Sequence, residues 1–294
     1  MKNAPPPSNS IDLPMMPADG ATAVALDRSS RGRGLHGIFL IESGDRQWVI
    51  KSYGRSRGPL HTAFSRMAAY LTGRSAGDPQ SRFLTEKKAL DIWRQNGFEV
   101  FQQPGQSPPV GIDLPHLVLE YVSGPTLKKY FADPGIVKSD KLSLFRRFIL
   151  EWGRRHYLAK ALGNRYLIQK HATFQHVLVS SDGRLIFYDF ETVYTRPYSL
   201  PAIIAREICG YMRSLFGVVA GEDFNDFLEV LIAEYPHPEF LTYPYHYFFC
   251  HPNKFVRIVH LFDRQLHRNR RLKSKYNVAL RIQEFIQVKK ARGE

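Results

Sequence analysis

Apolar residues in the first third of the chain come in short β-branched and aromatic runs; further on they recur at three- and four-residue intervals. Residues 21–26 are apolar apart from Thr22, and Ile38-Phe39-Leu40-Ile41 and Trp48-Val49-Ile50 bracket Ser43-Gly44-Asp45. That arrangement predicts a hairpin over residues 38–53. From Ser81 the period changes: Phe83, Glu86, Leu90 and Trp93 share one helical face, and Gly97 follows as a stop signal. Residues 104–109 read as a Pro-rich loop and 117–122 as a buried strand. Beyond Ser123-Gly124-Pro125 the spacing is mostly helical, over 142–162, 203–216 and 223–234, with a basic helix closing the chain. Within that part, Val177-Leu178-Val179 and Leu185-Ile186-Phe187 bracket a Ser-Asp-Gly turn, which predicts a tight hairpin delivering Asp189 at its end. Prolines 5, 6, 7, 14 and 17 mark residues 1–20 as an extended, poorly ordered tail. There is no internal repeat. The expected class is α+β and bilobal: a β-rich lobe over 21–122, a helical lobe over 123–294, and a cleft between them.

Composition narrows the function classes. With 20 Phe, 15 Tyr and 3 Trp in 294 residues the chain can bury a large core, so it is no solvating, disordered protein. Two cysteines, Cys209 and Cys250, exclude a disulfide scaffold and a CxxC metal site. Lys and Arg number 41 against 27 acidic residues, a formal net charge of +14, which calls for an anionic partner. No apolar run is long enough to span a bilayer, and the start lacks the pattern of a secretory signal, so a soluble cytoplasmic protein is expected. The run from Arg264 to Lys275 holds Arg268, Arg270, Arg271 and Lys273 as well. It reads either as a solvated helix face or as a patch drawn to phosphorylated lipid at the cytoplasmic leaflet, at about 1 kcal/mol per basic residue. No zinc-finger or RNA-recognition pattern accompanies it, so nucleic acid is not the expected partner. His237, His246, His251, His260 and His267 form no H-x-x-x-H pair and read as core and surface histidines. The aromatic stretch Tyr243-Pro244-Tyr245-His246-Tyr247-Phe248-Phe249 is either a packing wedge or an apolar floor for sugar or acyl groups.

Four features carry candidate chemistry. Gly32-Arg33-Gly34-Leu35-His36-Gly37 has G-x-G-x-x-G spacing. A strand rather than a helix follows it, which argues against a dinucleotide fingerprint. A flexible loop and a glycine turn closing over triphosphate oxygens remain. Lys51, on a strand with Val49 and Tyr53 on its side, is either an edge lysine reaching water or a cation over nucleotide phosphates. Glu86 interrupts an apolar helical stripe, and a carboxylate on the core side needs a cation, for which Lys51 is the natural candidate; an exposed Glu86 is the other reading. Asp189, in Asp-Phe-Glu just past a hairpin, is either a cap or a carboxylate holding Mg²⁺ against phosphates.

Taken in order, these pieces resemble the protein-kinase-like fold over roughly residues 21–216. Within it they are most similar to the bacterial lipopolysaccharide kinase group of Kdo kinases and inner-core heptose kinases. The resemblance is carried by Ser30-Arg31-Gly32-Arg33-Gly34, by Trp48-Val49-Ile50-Lys51 with the basic, glycine-ended stretch after it, by Ser81-Arg82-Phe83-Leu84-Thr85-Glu86, and by Arg206-Glu207 and Arg213-Ser214-Leu215. It implies that Gly32, Gly34 and Gly37 cover ATP, that Lys51 pairs Glu86, that Glu120 to Val122 form the hinge and that Asp189 binds Mg²⁺. The loop Gln169-Lys170-His171-Ala172-Thr173-Phe174-Gln175-His176 departs from the kinase pattern. Anchoring on Val177 puts His176 in the metal-binding Asn slot and His171 in that of the catalytic Asp. Deleting two residues puts Thr173 there instead. Neither alignment offers a carboxylate, though a histidine can accept a hydroxyl proton near neutral pH. The implied activity is ATP-dependent phosphorylation of a sugar hydroxyl on lipopolysaccharide core or another phosphorylated glycolipid. It implies peripheral contact with the cytoplasmic face of the inner membrane. The alternative is a pseudokinase that binds nucleotide or anionic lipid without turnover.

Overall fold

The computed structural model describes residues 15–17, 22–28, 36–54, 58–71, 73–75, 77–106, 108, 110–112, 114–195, 198–219, 223–266 and 274–292. Gly32, Gly34 and most of the basic run (267–273) therefore lie outside the described residues. The chain is mixed α+β with small sheets and a majority of helix, and it divides into two compact units.

The first unit draws on Met1–Gly58 and Gln102–Tyr121. It contains β1 (Met15–Pro17), β2 (Thr22–Arg28), β3 (His36–Ser43), β4 (Arg46–Tyr53), β5 (Val110–Ile112) and β6 (His116–Glu120). Strands pair antiparallel in the order β2-β3-β4-β6. The β3–β4 hairpin turns at Gly44-Asp45, with Gly44 at φ +58°, where glycine has no Cβ penalty. Register puts Phe39 opposite Ile50 and Ile41 opposite Trp48, so these four residues make one buried cluster with Ala23, Ile112 and Val118 against it. The opposite face carries Ile38, Lys51 and Leu117 in one cross-strand row, and Leu40, Val49 and Leu119 in the next. Met15–Pro17 differs from the expected poorly ordered tail: it pairs with Val110–Ile112. Pro17 is compatible with that strand because it closes it, at an edge where its missing N–H is tolerated.

The second unit draws on Pro59–Phe101 and Val122–Glu294. Its helices are α1 (Pro59–Leu71), α2 (Pro79–Gln95), α3 (Leu127–Ala132), α4 (Lys138–Ala161), α5 (Leu200–Phe216), α6 (Asp223–Glu234), α7 (Tyr243–Phe249), α8 (Lys254–Leu266) and α9 (Lys275–Arg292). The hairpin of β7 (Val177–Val179) and β8 (Leu185–Phe187) pairs Val177 with Phe187. Helix α2 starts two residues before Ser81 because Asp78 caps it, accepting from Ser81 N at 3.1 Å, with Pro79 in the first turn. Ser199 similarly starts α5 ahead of the apolar periodicity. Helix α7 forms across Tyr243–Phe249 because Pro244 falls in its first turn, where no amide hydrogen is needed. Helix α1 was not among the expected elements, although its Leu60, Phe64, Met67 and Tyr70 recur at helical spacing; all four are exposed.

The core of this unit is aromatic. Phe145, Phe148 and Trp152 on α4 meet Phe131, Phe174, Tyr211 and Phe227 with ring centroids 4.9–6.5 Å apart. Gly124 lets the segment entering α3 lie against β7. At φ +149°, a Cβ there would stand 2.0 Å from the Val179 carbonyl oxygen, and Val179 N donates to Pro125 O at 2.9 Å. Glu151 is drawn into the same α4 surface. Burial pushes its carboxyl up to about 7, against the pull of Arg155 and Arg154. A carboxyl raised in this way stabilises the fold below its unfolded pKa and loses that contribution as pH rises through 7. Glu151→Gln is therefore expected to be about 2 kcal/mol more stable than the wild type at pH 8, and equal to it near pH 4.5, by urea unfolding. Equal stability at both pH values would mean that burial does not raise the Glu151 carboxyl.

Candidate functional site

Asp189 arrives two residues after β8 in an uncommon conformation. Its φ is +69°, the only positive value at a non-glycine residue among those described. Left-handed backbone costs an ordinary residue about 1 kcal/mol or more, and Asp is among the few side chains that tolerate it. The neighbours hold it there. Tyr188 N donates to His176 O at 3.1 Å, and Gln169 Nε2 donates to Tyr188 O at 2.7 Å. Phe190 N donates to Glu86 Oε1 at 3.4 Å, and the Phe190 ring packs 4.6 Å from Trp93. Glu191 is paired with Arg82, whose Nε lies 2.7 Å from Oε2. Helix α2 thus holds the segment at two points one turn apart, through Arg82 and a Glu86 that is only 2 % exposed.

His176 ends a 3-10 turn (Phe174–His176) and faces two acceptors. Its Nδ1 is 2.9 Å from the His171 carbonyl oxygen and its Nε2 is 3.2 Å from Asp189 Oδ2. A neutral imidazole has one N–H. With that hydrogen on Nδ1, the Nε2 and Oδ2 lone pairs converge, an arrangement a cation completes; a doubly protonated ring satisfies both acceptors instead. Each of these states brings a cation or a hydrogen to Asp189 Oδ2. The His171 ring is exposed. Desolvation by the surrounding loop, then the Lys170 charge, hold its pKa below the usual histidine value, with Asp189 opposing. Thr173 is engaged otherwise: its Oγ1 lies 3.0 Å from Ser214 Oγ and caps the turn, and Ser214 Oγ also accepts from Phe174 N at 3.0 Å.

Beneath this loop is a polar network that the sequence reading did not assign. Glu207 accepts from Gln169 N at 2.7 Å, from Arg155 Nη1 at 2.7 Å and from His156 Nε2, and all three side chains Arg155, His156 and Glu207 are fully buried. His156 Nδ1 lies 2.5 Å from Tyr235 Oη, Arg155 Nη1 also donates to Leu167 O, and Tyr211 donates to Gln169 Oε1. The guanidinium of Arg155 stacks 4.5 Å over Trp93. Burial alone would raise the Glu207 carboxyl, but Arg155 and His156 outweigh it and hold it below its ordinary value. Burial keeps His156 below its own. The signal for Glu207 was present: a carboxylate on the same stripe of α5 as Ile203, Ile204, Ile208 and Tyr211.

A basic cluster adjoins His171. Burial, then the charges of Arg74 and Arg206, push Lys170 down to about 8. Arg206 lies 4.9 Å over the Tyr198 ring and 5.6 Å over Tyr194, with Nη1 3.4 Å from Tyr247 Oη. Arg74 is bridged to Tyr194, and Arg165 binds the Thr195 and Tyr198 carbonyls that frame the same loop.

The remaining candidates belong partly to the first unit. Lys51 is half-buried on the β4 face that carries Ile38 and Leu117, with Nζ 5.6 Å from the Tyr53 ring centroid. Gly37 is buried under Phe39, whose ring would meet a Cβ at 2.5 Å. Glu120 is exposed at the end of β6 and lines a groove with Arg46, Trp48 and Gly105, while its amide donates to Gln102 O at 3.0 Å. Val122, half-buried, belongs to the second unit. Within that second unit Glu86, His171, His176 and Asp189 gather around one segment, and Thr173 supports it. Among the described residues no group of three or more His, Cys, Asp or Glu side chains could hold a metal ion by itself.

No protein-family model matches the chain, and no curated protein matches it significantly. A solved structure described as "WaaP in complex with acyl carrier protein" is similar at 15 % sequence identity and a TM-score of 0.35, covering 70 % of this chain and 77 % of that one.

Proposed function

We propose that this chain is an ATP-dependent phosphotransferase of the bilobal, kinase-like class, acting on a sugar hydroxyl of lipopolysaccharide core or another phosphorylated glycolipid at the cytoplasmic membrane face. The observation that carries the reading is the convergence of Asp189 Oδ2 and His176 Nε2, 3.2 Å apart, on a left-handed residue fixed from both sides. The donor set fits Mg²⁺ of the phosphate-bound kind, which takes one or two carboxylates from protein and its other oxygens from phosphate and water. Asp189 would hold it, and His176, a poorer Mg²⁺ ligand, would orient the carboxylate. When bound, the ion supplies charge neutralisation for phosphoryl oxygens. Lys51 provides the cation for the nucleotide phosphates, Gly37 stands at the start of the strand that leaves the turn covering them, and Glu120 and Val122 supply hinge backbone groups. His171, exposed beside Asp189, takes the proton of the acceptor hydroxyl on its ring nitrogen. Lys170, Arg74 and Arg206 receive a phosphate already on the acceptor, since each has positive charge beside it and the carboxylates nearby are engaged elsewhere.

A non-catalytic reading is favoured by one observation: neither His171 nor Thr173 offers a carboxylate, and the Thr173 hydroxyl is already bonded to Ser214. Thermal stabilisation by ATP with and without Mg²⁺, followed by ATP turnover with and without lipopolysaccharide core, separates the two. Mg²⁺-dependent stabilisation with acceptor-dependent turnover is expected, and stabilisation alone would mean a pseudokinase. Lys51→Met is expected to weaken nucleotide binding about tenfold, the usual effect of removing one charge-assisted phosphate contact. Unchanged binding would take Lys51 out of the nucleotide site.

A further inference from the structure

Helix α8 is attached to the protein the wrong way round for a soluble helix. Phe255, Ile258, Val259, Phe262 and Leu266 recur at helical spacing on one face, and they are 72, 50, 47, 63 and 83 % exposed. None of its residues is buried. The other side meets the protein through polar groups and rings. Asp263 accepts from Tyr276 Oη at 2.7 Å and pairs with Lys275 Nζ at 2.8 Å. The His260 ring stands 5.1 Å from Tyr247, and Arg264 lies 5.4 Å over Phe249. An amphipathic helix in water normally turns its apolar stripe inward. Here His260 and Asp263 make the contacts, Lys254 and Arg257 stay exposed, and the stripe faces out.

Charge decides what covers it. The helix carries Lys254, Arg257 and Arg264 against a single acid, and that acid, Asp263, is already engaged by Lys275 and Tyr276. The sequence continues with Arg268, Arg270, Arg271 and Lys273. A second copy of the chain would bring another formal +14 against this one. An anionic bilayer supplies both phosphate for the basic groups and an acyl boundary for the phenylalanines. The helix has 13 residues, about 20 Å at 1.5 Å per residue, enough to lie in the interface and too short to cross it. Among the described residues no helix is long and apolar enough to span a membrane.

We propose that α8 is a membrane-docking helix that lies in the headgroup plane of anionic phospholipid with Phe255, Ile258, Val259, Phe262 and Leu266 inserted. Lys254 and Arg257 keep their charges at the phosphates while their stems cover apolar surface. The surface acts without nucleotide, so its test stands apart from phosphotransfer. The full chain, with no ATP present, is mixed with vesicles of phosphatidylcholine alone or with phosphatidylglycerol added, and bound protein is read by flotation. Binding to the anionic vesicles is expected, reduced at high salt and weakened at least about tenfold by Phe255→Ser with Phe262→Ser. The double variant should melt like the wild type, since both rings are exposed. A second readout covers the case in which it does not: Trp48, Trp93 and Trp152 are buried, so Phe262→Trp adds an exposed indole whose emission should shift to the blue on anionic vesicles. Absence of flotation, flotation unaffected by the double substitution, or no shift in the Phe262→Trp emission would overturn the proposal. So would a dimer of the wild type that the double substitution disperses, which would assign the face to a second copy.

Discussion

Replacing Asp189 by Asn is expected to lower ATP turnover by about a thousandfold while leaving the melting temperature unchanged. The two halves of that expectation have different causes. Residue 189 holds φ +69°, and Asn adopts left-handed backbone as readily as Asp, so the fixed segment from Tyr188 to Glu191 keeps its shape. What changes is charge: the amide withdraws the anion from beside His176 Nε2 and with it the anchor for a cation on phosphate oxygens. Removing one preorganised electrostatic group from a phosphoryl-transfer site typically costs two to three orders of magnitude or about 3–4 kcal/mol. Asp189→Ala is a poorer probe, because it adds backbone strain to the loss of charge. Steady-state turnover together with Mg²⁺-dependent nucleotide binding checks the expectation. Wild-type turnover in the Asn variant would dismiss Asp189 as the metal carboxylate.

The second large effect is on stability. Glu207→Gln is expected to lower the unfolding free energy by about 3–5 kcal/mol, measured by urea denaturation. All three partners of Glu207, namely Gln169 N, Arg155 Nη1 and His156 Nε2, present hydrogens. A carboxylate accepts from all of them with two oxygens. A glutamine has one oxygen, and its NH₂ must point at a donor, so the buried guanidinium loses its counter-charge and one donor goes unmet. Because Gln169 also holds Tyr188 O, loosening Glu207 frees the loop that carries His171 and the residue before Asp189. Turnover should fall in the same variant although Glu207 reaches no substrate, and Arg155→Leu should show the same pairing of effects. The wild type adds a pH signature. His156 and Glu207 both bind protons less readily folded than unfolded, so their contribution is intact above pH 6.5. It is lost as pH falls, first through the histidine. A loss under 1 kcal/mol in Glu207→Gln would mean the network is not the anchor of the loop.

The strands that can be read from runs of apolar residues, the β3–β4 and β7–β8 hairpins, and helices α2 and α6 follow from short-range pattern, because side-chain period and turn residues are local properties. Helix ends moved where caps intervened: Asp78 and Ser199 lie outside the apolar periodicity yet accept the first free amides. Helix α1 was missed although Leu60, Phe64, Met67 and Tyr70 recur at helical spacing; only the structure shows that this row is exposed. Met15–Pro17 became a strand only because residues 110–112 supply the missing partner.

Of the candidate chemistry, the placing of Glu86 on an apolar stripe and of Asp189 after a tight turn could be argued from spacing alone. The choice between His171 and Thr173 could not, because a two-residue shift in an irregular loop leaves no periodic trace. Packing gives the two residues different surroundings: Thr173 spends its hydroxyl on Ser214 and its own turn, while the His171 ring stays exposed beside Asp189. The pairing of the loop's supports was hidden. Gln169 and Glu207 are 38 residues apart, Arg155 and Glu207 52, and the apolar stripe that carries Glu207 does not say which distant groups it meets.

Local order, charge balance and the residue types available for phosphate chemistry are properties of the linear chain, since they depend on neighbours a few bonds away and on counting. Which carboxylate is buried, which histidine shares it, and that α8 turns its phenylalanines outward depend on burial and partner choice. Those are fixed only when distant segments close on one another and every interior donor must find an acceptor.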